Sequence, residues 1–250
     1  MPKVGVQLYT LRDVLQDDFA GTLRKVAEMG FDGVEFAGYG GYTAPQLRAL
    51  CDELGLEPVS SHVPLDVLES KLDEALAYAK ELGLRHIACP WSPPERRNSR
   101  AAYQALADSL NRIGTACHEA GILFSYHNHA FEFDTFDGEY GLDLLLQWTQ
   151  PSFVGAELDM YWVEYAGESA KAYLRKYAGR CRFLHVKDMA ADEQRSFAEV
   201  GSGSLDVPGI LEVAAETGVE WLIIEQDVCQ QPPLDSVRQS YAYVSRLLGR

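Results

Sequence analysis

Short apolar and β-branched runs alternate along this chain with longer segments whose apolar residues return every three to four positions. The runs are VGVQLYT (4–10), GVEFAG (33–38), EPVSSH (57–62), HIACP (86–90), ILFSYHNH (122–129), FVGAELD (153–159), RFLHVKD (182–188) and WLIIEQD (221–227). Their length and composition predict strands. Between them, segments such as 18–30, 44–55, 66–83 and 99–121 carry helical spacing and stop at or near a glycine. Eight strand–helix units in 250 residues, with no Ser/Gly/Pro-rich break, predict one α/β domain over residues 1–250, a single closed (β/α)8 barrel. An open doubly wound sheet would usually carry a glycine-rich phosphate loop in its first turn, and VGVQLYTLRD offers none.

Chemistry in such a barrel gathers at the C-terminal ends of the strands. Those ends carry Glu35 on the second strand, His62 on the third, His127 and His129 on the fifth, Asp159 on the sixth, His185 with Lys187 on the seventh and Glu225 on the eighth. Such groups are costly in an apolar wall but can converge at one rim. His127, Asp159, His185 and Glu225 come from four successive strands, and their two carboxylates balance a divalent ion; the mixed nitrogen and oxygen set suits Mn, Co, Zn or Mg.

Around that set lie candidates for handling a substrate. Lys187, two residues past His185 on the same strand face, places an ammonium against a hydroxyl, a carbonyl or a developing enolate; its bland alternative is a surface pair with Asp188. Glu132, after the YHNH turn, is either a substrate contact and second acid/base or a loop anchor. His62 and His129 face the same rim, and Trp162 and Trp91 offer flat apolar faces to a substrate, although core or lid packing is the more frequent use of tryptophan. His86 and His118 sit away from the rim and are assigned to structure. The loop GSGSLD (201–206) is a weak phosphate-cradle signal, with Asp206 well placed to cap the helix that begins VPGILEVAAE.

Charge and cysteine usage narrow the setting. A formal charge of −15 without any Lys/Arg-rich block argues against nucleic-acid binding, and it repels anionic substrates unless local cations offset it. Five scattered cysteines without a CxxC pair suggest neither a disulfide framework nor a zinc knuckle, which fits a reducing cytoplasm. No leader and no apolar run of membrane-span length is visible, so a cytoplasmic protein with no membrane partner is expected. Association into a homo-oligomer stays open.

The pieces VGVQLYTLRD, GFDGVEFAG, YHNHAFEF, ELDMYW, HVKDM, GSGSLD and IIEQD together resemble, over essentially the whole chain, the xylose isomerase-like TIM barrel family of sugar phosphate isomerases and epimerases. The resemblance implies a divalent metal at the strand ends, held by Asp159 in ELD, His185 in HVKD and Glu225 in IEQ. It also implies a small-molecule sugar or cyclitol substrate. Where many members end the fifth strand with a ligand glutamate, this chain reads GILFSYH, so His127 stands in the carboxylate's place as ligand or base. In the epimerase-like arrangement two metal-bound carboxylates work on opposite faces of a carbon beside a carbonyl, through a metal-stabilised enediolate. Exchanging one for a neutral imidazole breaks that symmetry, and titration near neutrality would suit a base.

The expected activity is therefore a metal-dependent sugar isomerase or epimerase, with catalytic groups drawn from Glu225, His127, Lys187 and Glu132. The one-sided site leaves an inosose or keto-sugar dehydratase of the same superfamily as the alternative. A non-catalytic carbohydrate-binding barrel would need no complete Asp–His–Glu set. An abasic-site endonuclease would need more metal ligands and a basic face.

Overall fold

The structure is a computed structural model that describes all 250 residues. Eight parallel strands close into a barrel: β1 (Lys3–Gln7), β2 (Gly33–Phe36), β3 (Glu57–His62), β4 (His86–Cys89), β5 (Leu123–His127), β6 (Gly155–Asp159), β7 (Cys181–Val186) and β8 (Trp221–Ile224). Each pairs with its sequence neighbour, and β1 closes the ring on β8 through Val4 opposite Leu222 and Val6 opposite Ile224. The eight runs read from the sequence are these eight strands.

Strand alternation sorts the residues into two environments. Val4, Val6, Leu184, Val186, Leu222 and Ile224 belong to the large core between the sheet and its helices. The intervening positions form a second, small apolar cluster of Val59, Phe183, Trp221 and Ile223, which plugs the barrel interior at its N-terminal end. Gly33 makes room for that plug: a Cβ there would lie 3.1 Å from Trp221 Cη2 and 2.5 Å from the Glu57 carbonyl oxygen.

The outer helices begin and end as the sequence signals require. The Asp18 side chain accepts from the Gly21 N–H at the start of α1 (Phe19–Met29), which stops at the left-handed Gly30. The segment 66–83 departs from expectation, forming two helices, Leu65–Ser70 and Leu72–Leu82, with Lys71 outside the helical region at φ −139°. The Ser70 hydroxyl donates back to the Asp66 carbonyl, ending the first turn-pair. That first piece packs Leu65 and Leu68 inward and leaves Val67 facing the mouth of the barrel.

Two short ribbons decorate the C-terminal rim. Thr135–Phe136 pairs with Glu139–Tyr140 across Asp137 and Gly138, both at positive φ, and Asp188–Met189 pairs with Phe197–Ala198. The five cysteines are unpaired, and no helix is long and apolar enough to cross a membrane.

Candidate active site

The inward side chains at the strand ends meet in two tiers. In the upper tier His127, Asp159, His185 and Glu225 each present a ligand atom, all four within 4.8 Å of one another and all buried. This is the quartet expected from the strand ends. In the tier below, Glu157 Oε2 lies 2.8 Å from His62 Nε2, 3.5 Å from His127 Nδ1 and 3.5 Å from His185 Nε2. Glu35 Oε1 accepts from His185 Nε2 at 2.7 Å and from Gln7 Nε2 at 2.7 Å, with His62 Nε2 at 3.2 Å. His86 lies deeper, hydrogen-bonded to Ser60 Oγ at 2.8 Å and stacked on Phe183, as a structural residue should be.

This tier orients the one above. With Nε2 engaged by Glu35, His185 turns Nδ1 to the rim, where it lies 2.8 Å from Glu225 Oε2. A carboxylate behind a ligating imidazole fixes its tautomer and raises its basicity. His127 Nδ1 has no hydrogen-bond partner, and Nε2 stands 3.8 Å from Asp159 Oδ2, beyond hydrogen-bonding range. Two nitrogens and two carboxylates so arranged fit a divalent ion, and these residues could hold one.

Lys187 shares this rim. Its Nζ lies 2.9 Å from Asp159 Oδ2, 2.8 Å from Glu225 Oε2 and 3.0 Å from Asp227 Oδ1, so its partners are the cavity carboxylates and not Asp188. Neighbours on a strand point to opposite faces, which sends Asp188 the other way. Its carboxylate accepts the N–H groups of Met189, Gly201, Gly203 and Leu205. The GSGSLD loop is thus wrapped around a side chain of the protein itself, and a Cβ on Gly203 would fall 2.2 Å from Asp188 Oδ1. Asp206 caps the helix Val207–Glu216 through the Gly209 N–H. Asp188→Ala should cost about 3 kcal/mol, the scale of several charge-assisted hydrogen bonds lost with their donors left buried, measurable by urea unfolding.

Burial and neighbours set the charges. Burial opposes the His62 cation, but Glu35 and Glu157 outweigh it and push its pKa up to about 10. Burial likewise opposes the charge on His185 and Lys187, whose carboxylate neighbours hold both well above their ordinary values. Burial, with the cations around it, takes His127 well below its usual value. It is a neutral imidazole, not the group titrating near neutrality that the sequence suggested, because no carboxylate hydrogen-bonds it.

The rim opens into a cavity of about 680 Å³ lined by His62, His127, His129, Lys187, Glu225, Trp91 and Trp162, all expected there. Asp227, not singled out from sequence, lines it too. His129 stacks on Phe131 at 5.0 Å and faces Trp162 at 5.7 Å. Glu132 does not reach the cavity. Its carboxylate is buried, accepting from the Tyr126 hydroxyl and the His129 N–H at 2.7 Å each, so it anchors the turn that carries His129.

Burial raises the Glu132 pKa from 4.5 to about 8. Between these values the folded state keeps a proton that the unfolded chain releases, so stability falls as pH rises through this window and the full penalty stands above it. Glu132→Gln carries no such titration and should show a shallower fall in urea midpoint from pH 4.5 to 8 than the parent.

A closed parallel barrel with buried imidazoles and carboxylates gathered beneath a rim cavity is the setting in which barrel enzymes work on small molecules. Residues 23–247 match the xylose isomerase-like TIM barrel family, and the chain belongs to it. An inosose dehydratase from Geobacillus kaustophilus is 26% identical, the match covering 90% of this chain and 86% of that one. An inosose dehydratase from Clostridium beijerinckii is 28% identical over a shorter match, 59% of this chain and 55% of its own. A sugar phosphate isomerase/epimerase structure from Parabacteroides distasonis, 24% identical, superposes with a TM-score of 0.86 over 98% of this chain and 94% of that one.

Proposed function

We propose that the protein is a metal-dependent enzyme that removes a proton beside the carbonyl of a keto sugar or cyclitol and completes the reaction by loss of water. The observation that carries this is the one-sidedness of the site: Asp159, Glu225, Asp227 and Lys187 cluster at the ends of β6 to β8, while the neighbouring β5 ends in His127, a neutral imidazole, and not in a further carboxylate. A two-carboxylate epimerase needs proton carriers on both faces of one carbon, and a one-sided site suits an acid and base that act from the same side. The resemblance to inosose dehydratases agrees with this direction.

Asp159, His185, Glu225 and His127 would hold the ion. Bound there, a divalent ion supplies Lewis acidity that polarises the substrate carbonyl. Glu225 takes the proton from the adjacent carbon and returns it to the departing hydroxyl, so that water leaves and the carboxylate is regenerated. Lys187, 2.8 Å from Glu225 and paired with Asp227, donates a hydrogen bond to the oxygen on which negative charge develops. His62 and His129 contact the remaining hydroxyls, and Trp162 gives the ring an apolar face.

Incubation of the Mn-, Co- or Mg-loaded protein with inososes and keto sugars in D₂O tests this. The expected product has lost water and absorbs as a conjugated enone, and chelation stops its formation. A product that keeps every oxygen and carries deuterium at the carbon beside the carbonyl would make the enzyme an isomerase or epimerase instead.

A further inference from the structure

The rim cavity is larger and more divided than a bare sugar requires. Its volume of about 680 Å³ lies within the range of about 300–1,000 Å³ that encloses drug-sized ligands. The inner wall is polar and comes from the ends of β3, β5, β7 and β8. The outer wall presents Tyr39, Val63, Pro64, Val67, Pro90 and Trp91 from the loops after β2, β3 and β4, with Ala37 and Gly38 beside them and Tyr9 from the loop after β1.

That outer wall offers little to a hydroxyl. The two prolines have no N–H, and the Tyr39 hydroxyl already donates to Ser61 Oγ at 3.0 Å while its ring is stacked on Tyr78 at 4.2 Å. Hydroxyls placed against Val63, Pro64, Val67 and Pro90 would lose water without gaining partners, a cost a binding site avoids. A phosphate fares worse. The single lysine of the cavity is held by three carboxylates, Glu225 and Asp227 themselves face the cavity, and the chain carries a net charge of −15. A flat apolar group, in contrast, finds an indole 45% exposed at Trp91 and aliphatic contacts at Val63 and Val67.

We infer that the outer half of the cavity is a subsite for an apolar, aromatic substituent, and that the substrate is an uncharged keto sugar bearing such a group, an aryl glycoside in chemical class. This rests on the reading above for the sugar end. The substituent lies against Trp91 and Val67 while the keto sugar reaches the inner wall.

The keto forms of methyl glucoside, phenyl glucoside, cellobiose and glucose 6-phosphate distinguish the occupants, with the metal-loaded full chain as enzyme. The phenyl compound should show a KM about tenfold below the methyl compound, the scale of one buried aromatic contact. Val67→Asp and, independently, Trp91→Ala should collapse that ratio towards one. Equal KM for methyl and phenyl compounds, or tighter use of the disaccharide or the phosphate ester, would overturn the subsite. If none of the compounds exchanges a proton, the reaction is wrong. Calorimetric binding of phenyl glucoside against methyl glucoside then decides the subsite alone: a tenfold preference that the two variants abolish sustains it, and equal affinity ends it.

Discussion

Lys187→Met is expected to lose turnover by about 10²–10³, the usual effect of removing one donor aimed at developing charge. It should also make the metal-free protein less stable by about 3–5 kcal/mol, because a buried ion cluster that loses one partner keeps its uncompensated charge. The ammonium is 1% exposed and lies within 3.0 Å of Asp159, Glu225 and Asp227, so its removal leaves three carboxylates facing one another. A divalent ion added back should recover much of the lost stability without recovering turnover. Two readings of one sample, thermal unfolding with and without Mn and the rate at saturating substrate, separate these effects. A Lys187→Met protein with parental turnover would remove the lysine from the mechanism.

The second large effect is expected at His127. His127→Ala should slow proton exchange by about 10²–10⁴ while substrate still binds, since it removes one of the four side chains that would hold the carbonyl-polarising ion and leaves the outer cavity intact. The imidazole is 2% exposed, its Nδ1 is unpartnered, and Nε2 faces Asp159 across 3.8 Å. His127→Glu places a carboxylate at the end of β5, beside Glu157, and should move the product mixture from dehydration towards isomerisation. Single-turnover measurement of deuterium exchange beside product analysis reads both. Exchange at the parental rate in a metal-bearing His127→Ala protein would make the strand-end imidazole structural.

Much of this was legible in the sequence because barrels are repetitive: each strand run is short, apolar and followed by helical spacing, and period-two alternation carries a strand-end residue such as Glu225 or Lys187 into the interior. The quartet His127, Asp159, His185 and Glu225 came from that alternation. Glu157 did not, although it stands two residues before Asp159 on the same face. Its importance lies in contacts with His62, His127 and His185, which come from three other strands and meet only when the barrel closes. Asp227 was obscured likewise, past the end of β8 and made relevant by Lys187.

Other signals were local and underread. The three-residue spacing of His129 and Glu132 is that of a reciprocal cap, which is how Glu132 is spent. The Asp137-Gly138 pair is a hairpin-turn signature, but strands of two residues are too short to show alternation. The break at Lys71 had no glycine or proline to mark it, and the helical spacing continues across it.

The most direct test of a metal-dependent rim is an anomalous difference map from crystals grown with Mn, recorded on both sides of the manganese absorption edge. One peak bounded by His127, Asp159, His185 and Glu225, and lost in His185→Ala, is the predicted result. No peak from protein shown to be loaded, or a peak away from these four residues, would contradict it.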